Sequence, residues 1–548
     1  MTPWWSVPVI FSLLVTVSVA KEASTYSLSI DEVQQYTVNT ETLYSFAVSA
    51  PVSVSGVIFQ VHSQYDTIRL STSATFSYST TVSGSDIGLW SPSSDHTHTF
   101  YCIATSVFNA STTAILAAAT EIKINAPIPG GCNLVSPIDT DPNVVLNYTA
   151  YTTSLLFQDG NQGYNGSGPP PLCTDSSVSP KHYGVSQLKY IIYRKMMRTR
   201  DYSQGTYFAT LKNIIKSNSY KDLPSFSESA TGIKNFTIDS FKGMGVVYVV
   251  MATSLTNGMS SVYVPSVTYA CAFNSHGLCD TSLSTTDIVV SVICGLIGLW
   301  LIFLSHRFFH VEVLLFSFIS FTYCSYILTT ALLHYSHTEL VILAAAAGLC
   351  ISLFIFIIWF FTGWFMPFMF IVNGATGFII GAILLYTPIG SYEFFRIGYV
   401  YGLLLACFVV LLLIPAVIFP RPSNIFSSSL IGGYLVVYSI GIFEFSTLDQ
   451  IVLKVVRVAS VKDYLSFHQV YPFTLYDIIL SCVWVVLLLL GIIIQCLLVR
   501  KRDPFPKKSL FKQLKEKLSS RVDKEEERRR LLSIGSAGNF KEYGSLVN

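Results

Sequence analysis

This sequence predicts a multi-domain membrane protein: a β-rich, β-sandwich-like ectodomain, then a seven-helix transmembrane bundle and a basic, partly helical cytoplasmic tail. Three observations carry that reading. Seven apolar stretches of bilayer length follow residue 287, short alternating runs of strand character precede it, and the last fifty residues are rich in Lys and Arg. The expected segments are a signal peptide at 1–20, a first module at 21–128, a second at 129–286, the spans within 287–499 and the tail at 500–548.

The spans are the strongest element. Apolar stretches run at about 288–309, 311–333, 340–361, 364–387, 398–419, 424–446 and 475–499. Each is near the roughly 20 residues that a helix needs to cross a hydrocarbon core of about 30 Å. Composition agrees, with 51% hydrophobic and only 12% charged residues, against roughly 25% charged in a soluble domain.

The N-terminal half reads differently. Val7 to Val17 is an apolar core, and Ser18-Val19-Ala20 is a small-x-small cleavage site, so residues 1–20 read as a leader. No Lys or Arg precedes that core, and an uncleaved anchor is the competing reading. Beyond it, runs such as Val54 to Val61 and Val246 to Val250 have strand character, separated by Ser, Thr, Gly, Asn and Pro. One helix is expected at Thr206 to Ile215, where Tyr207, Leu211, Ile214 and Ile215 share a face. Pro127 to Gly131 is the expected hinge between two stacked sandwiches.

Four N-x-S/T sequons, at Asn109, Asn147, Asn165 and Asn235, all fall before residue 286, the side expected to be lumenal. Five cysteines lie there too, in a compartment where disulfides form. The expected pairs are Cys271 with Cys279, which closes a short loop, and Cys132 with Cys173; Cys102 is then unpaired. Five is odd, and spacing leaves other connectivities open.

An outside N-terminus and seven crossings put the tail in the cytoplasm, in a multi-pass protein of the cell membrane. Arg307, Arg421 and a tail with 14 Lys/Arg against 7 Asp/Glu lie on the inner side. Lys454, Arg457 and Lys462 sit on the outer side, in a longer loop where residues 448–459 have the apolar spacing of an interfacial helix. The basic run follows a span and has no interleaved aromatics, so nucleic acid is not an expected partner.

Chemistry-bearing residues are sparse. Glu312, Glu393, Glu444 and Asp477 fall near span ends, within reach of the headgroups. Asn373 is the intramembrane polar candidate, beside Gly374, Gly377 and Gly381. Hydrogen bonding within a tight bundle is its plainer role, and a permeation path the sharper one. No catalytic constellation and no cofactor motif occur. Asp139, Asp141 and Asn143 alternate as calcium ligands do, but the loop lacks the glycine and the terminal Glu of an EF-hand, so an Asx turn is the default. In the tail, Glu527 with Leu531 and Leu532 fits an acidic dileucine signal, and Tyr543 with Leu546 a tyrosine-based one. Clathrin adaptors are the expected readers, with cycling through endosomes or lysosomes. Membrane lipids are partners of the spans and of the Lys-rich tail.

Several stretches resemble the seven-transmembrane superfamily member three family. These are Phe59 to Tyr65 (FQVHSQY), Pro129 to Leu134 with Asp141-Pro142-Asn143, Pro169-Pro170-Pro171 before Cys173, Thr268 to Cys271, and His306-Arg307-Phe308. The resemblance implies links to cell survival under stress, to the unfolded-protein response and to insulin secretion, and it implies no catalytic residues. A non-enzymatic receptor-like or regulatory protein with an extracellular ligand or protein partner is therefore expected. The alternative is a transporter, channel or lipid-handling protein that uses the bundle. A G-protein-coupled receptor is disfavoured, because an acidic-Arg-Tyr triplet and an Asn-Pro-x-x-Tyr motif are missing from the expected places.

Overall fold

The computed structural model describes residues 24–530, apart from 52–53, 93–96, 134–137, 150–151, 164–172, 174–187, 218–220, 222, 230–234, 275, 280–283, 334, 445, 470–472 and 500–514. The leader, Asn165, Pro169 to Pro171, Leu531, Leu532, Tyr543 and Leu546 lie outside the described residues. The chain divides into two compact units, 1–281 and 282–548.

Two packed sheets form the first module of unit 1. One has the order β1 (Ser24–Ser29), β3 (Leu43–Ser49), β8 (Thr97–Thr105), β5 (Thr67–Ser71), β6 (Thr81–Gly84). The other runs β2 (Val33–Asn39), β9 (Thr112–Lys123), β4 (Val54–His62), β7 (Asp86–Pro92). Alternation produces this sandwich: in β8, His98, Phe100, Cys102 and Ala104 turn inward while Thr97, Thr99 and Thr105 do not. Strand β4 is buried along its whole length, and its two faces differ. Val57, Phe59 and Val61 join the sandwich core, whereas Ile58 packs with Ile122, Ala126 and Val264. A strand apolar on both sides needs cover on both sides, and the second module supplies it.

The second module holds a sheet of β15 (Ser225–Ser229), β14 (Leu188–Met196), β17 (Val246–Ser254) and β18 (Ser260–Val262), with β19 (Ser266–Thr268) also on β17. A three-stranded sheet of β11 (Val144–Tyr148), β12 (Thr152–Phe157) and β16 (Asn235–Asp239) accompanies it. Ile128–Cys132 is not a free hinge. It is strand β10, paired with β13 (Asp159–Asn161). Helix α1 spans Gln204–Ser217 and buries Tyr207, Phe208, Leu211 and Ile214. Asp201 starts it by accepting from the Ser203 and Thr206 hydroxyls at 2.6 and 2.7 Å, and these bonds hold its carboxyl below the usual carboxylate range. The α1 residues share one core with Val33, Leu116 and Ala118 of the first module, so the two sandwiches are fused through packed side chains.

Among the described residues, unit 2 contains seven helices long and apolar enough to span a membrane: α2 (Thr285–Leu304), α3 (Phe309–Leu332), α4 (His337–Thr362), α5 (Met366–Tyr386), α6 (Gly398–Ile418), α7 (Pro420–Glu444) and α9 (Leu475–Val499). Capping boxes at Ser284/Asp287 and Ser336/Glu339 start α2 and α4, and proline opens α7. Helices α5 and α7 form the inside of the bundle, whereas α4 and α6 show most of their surface outward. The short helix α8 (Gln450–Ser460) packs on α3 and α5, with Lys454 donating to the Leu385 carbonyl at 2.6 Å. In the tail, residues 515–530 are helical and exposed.

Candidate functional site at the junction of the two modules

His62 on the second face of β4, and Gln64 and Tyr65 in the turn after it, reach into the junction. His62 Nδ1 lies 2.8 Å from Asp86 Oδ1, and the imidazole is fully buried. Tyr207 of α1 donates to the same oxygen at 2.6 Å, and the backbone N–H of Val267 donates to Asp86 Oδ2 at 3.0 Å. One carboxylate thus binds β4, α1 and β19 together. Burial and the Asp86 charge push the Tyr207 hydroxyl well above its ordinary range, so it stays protonated and remains a donor. Gln64 donates to the Tyr202 carbonyl at 3.0 Å and to the Tyr269 hydroxyl at 3.2 Å, and Tyr65 donates to the Tyr202 carbonyl at 2.6 Å. Rings of Tyr65, Tyr202, Tyr269 and Phe273 pack edge-on around these bonds.

Asn143 closes the other side. Its side chain accepts from the Gly88 N–H at 2.6 Å and donates to the Gly88 carbonyl at 3.0 Å, copying the pairing of a neighbouring strand. Glycine is needed here, because a Cβ at position 88 would stand 2.7 Å from Val264. The oxygens considered for calcium are engaged otherwise: Asp141 Oδ1 accepts from the Asn143 N–H and Nδ2 at 3.1 and 2.7 Å, an Asx turn, and Asn143 Oδ1 faces Gly88. Asp139 lies in the same loop.

Between these clamps lies a groove of about 640 Å³. Strand β6 and the start of β7 form one wall, and β11 with β19 the other. Arg69, Phe76 and Tyr78 rim it on one side and Val145 on the other; Tyr78 is 84% and Val145 53% exposed.

The remaining sequence candidates are dispersed. Cys132 is bonded to Cys173, and Cys271 to Cys279. Cys102 is free in the first core, where burial pushes its thiol up to about 12. Asn109 and Asn147 are exposed, Asn109 at a turn and Asn147 on β11, while Asn235 begins β16. Glu527 lies on the exposed tail helix.

Asn373 is fully buried in α5, donates to the Met369 carbonyl at 2.9 Å and accepts from Ser423 and Ser427 of α7. It belongs to a longer polar seam. Asn424 donates to Glu312 at 2.8 Å, and Gln495 of α9 donates to the Leu301 and Ile302 carbonyls at 3.0 and 2.8 Å. Glu312 and Asp477 lie in the first turns of α3 and α9, near span ends as expected, and both are buried; Asp477 accepts from Ser446 and Thr474, each at 2.7 Å.

Three of the stretches that carried the family resemblance contribute bonds to this junction, through residues of Phe59 to Tyr65, through Asn143 and through Tyr269. Family profiles agree. One described as TM7SF3-like, N-terminal immunoglobulin-like domain, matches residues 24–120, and its second immunoglobulin-like counterpart matches 127–274. A TM7S3/TM198-like domain profile matches 291–496. The chain belongs to the TM7SF3-like family. Among similar proteins named "Transmembrane 7 superfamily member 3", that of Mus musculus is 28% identical over 92% of this chain and 91% of its own. Those of Rattus norvegicus and Homo sapiens are each 29% identical over 85% of this chain and 82% of their own. Like the family, this is a multi-pass membrane protein with two N-terminal immunoglobulin-like domains.

Sequence reasoning missed Asp86, Tyr207 and Arg69 as site residues. A signal existed for the junction face: Gln60, His62 and Gln64 alternate through an otherwise apolar strand and mark a polar face that is not a solvent face.

Proposed function

We propose that this chain is a non-enzymatic, receptor-like or regulatory protein of the cell membrane, with its immunoglobulin-like domains outside, its tail in the cytoplasm and a partner bound at the junction groove. One observation carries the reading. The two modules are locked by buried bonds and shared core, yet the groove they frame leaves Tyr78 and Val145 exposed. Rigid walls and exposed aromatic and aliphatic side chains suit protein recognition, since little order is lost on binding. Through the family, the reading extends to cell survival under stress, the unfolded-protein response and insulin secretion. The tail signals at Glu527, Leu531, Leu532, Tyr543 and Leu546 would let clathrin adaptors cycle the protein through endosomes or lysosomes.

Proximity labelling by a peroxidase fused outside the first module tests this on intact cells. The set of labelled proteins should lose members when Tyr78→Ala and Val145→Asp are combined. An unchanged set, at equal surface amount, would sink the reading. The polar seam favours a second reading, a transporter or lipid-handling bundle, because intramembrane polar groups so often mark pathways. Flux or lipid scrambling above empty liposomes, reduced by Asn373→Ala, would support it.

A further inference from the structure

We propose that the groove takes an extended, acidic stretch of a partner protein, which adds to the outer edge of β6 as a further strand and sets a carboxylate against Arg69. This rests on the reading of the groove as a partner site and names its occupant.

Among the described residues strand β6 ends its sheet and pairs with β5 alone, so its outer edge offers backbone donors and acceptors to another strand. Lys, Pro and inward charges, the side chains that blunt such edges, are absent from the four residues of β6, Thr-Val-Ser-Gly. The register decides which side chains a new strand would meet. Leu70 is paired with Val82, and Arg69 with Ser83. Leu70 is buried in the core and Arg69 is exposed, so Arg69 and Ser83 stand on the outer face. A strand added beyond β6 lies about 9–10 Å from β5, two inter-strand spacings away. Ser83 is the small residue between them, so a strand there would come within reach of the long arm of Arg69.

Charge selects the occupant. Arg69 stacks over Phe76, its guanidinium carbon 5.2 Å from the ring centre, and no described carboxylate pairs with it. The acidic groups of the groove already have partners: Asp86 holds His62 and Tyr207, and Asp141 holds Asn143. Those carboxylates keep their charge but are turned to fixed donors, whereas the exposed, planar guanidinium of Arg69 is the groove's cation and is suited to a carboxylate. Val145 and Leu146 across the groove offer apolar contact to alternate side chains of the same segment.

The test uses the full chain in nanodiscs and synthetic eight-residue peptides that alternate Thr and Val around one central Glu or Lys, read by fluorescence anisotropy. The Glu peptide should bind about tenfold more tightly than the Lys peptide, as one charge-assisted bond predicts. Arg69→Glu should invert the preference and Arg69→Lys should keep it. N-methylation of alternate amides should abolish binding in one of the two registers. Equal binding of both peptides, indifference to Arg69→Glu, survival of both methylation patterns, or no binding at all would each overturn the proposal. The receptor reading fails separately, through an unchanged labelled set in the Tyr78/Val145 variant.

Discussion

Three donors converge on the carboxylate of Asp86, from an imidazole, a phenol and a backbone amide on three different elements. Removing one of them leaves a buried acceptor short of a partner, a loss of roughly 1–3 kcal/mol. Tyr207→Phe should therefore lower the stability of the N-terminal unit by about that amount in urea titration of the purified protein, with the spans unaffected. Asn143 teaches why such roles are hard to read from sequence. Its spacing from Asp139 and Asp141 fits a cation loop as well as a turn, and only the position of Gly88, fifty-five residues away, turns it into a clamp. Asp449 is the residue whose titration should be visible. It lies in the turn before α8, outside the spans, where burial pushes its carboxyl up to about 6 against the opposing pull of Gln450 and Arg457. A folded value above the unfolded one, near 3.9, means that the native state binds the extra proton, so stability should rise as pH falls from 7 through 6 towards 4. Thermal unfolding in detergent across that range should show the slope, and Asp449→Asn should flatten it.

Elements of the bundle meet where side chains are smallest. A Cβ on Gly298 of α2 would sit 2.7 Å from the Gly432 carbonyl of α7, and one on Gly432 would sit 2.8 Å from the Gly298 carbonyl. A Cβ on Gly377 of α5 would run into the Phe408 carbonyl of α6, whereas one on Gly402 of α6 would meet nothing within 4 Å. Gly298→Leu and Gly377→Leu should each destabilise the bundle by about 1–3 kcal/mol or more, since overpacking forces helices apart. Gly402→Leu should be tolerated. Unfolding in SDS titration distinguishes the two classes. Span positions were legible because twenty apolar residues have few other uses. Inward and outward faces were not, because lipid and protein interior ask for the same side chains; the moderately polar run Ser423 to Ser429 proved more telling than apolarity, since polar groups in a span are turned inside.

At the scale of the whole molecule, the order of strands, then spans, then a partly helical tail could be read from texture alone, because each solvent demands its own composition. The fusion of the two immunoglobulin-like modules could not. It depends on the outer faces of β4 and β9 meeting α1, contacts separated by about a hundred residues or more, and strand alternation names two faces without saying what covers the second. Proline and glycine at Pro127 to Gly131 suggested a joint, yet Ile128–Cys132 pairs as a strand and the joint is rigid.

That rigidity has a mechanical consequence. Pulled from its N-terminal end under reducing conditions, the protein should not release its modules as beads that rupture one after another. With a core in common and Asp86 tied to both, yielding of either strips the cover from the other. Single-molecule force traces should show one rupture with a contour gain of about 90 nm, set by some 0.36 nm for each of the roughly 250 residues released, rather than two of about 38 and 55 nm. The N-terminal half would then bear tension as a single strut, and Tyr207→Phe should lower the force at which it gives way.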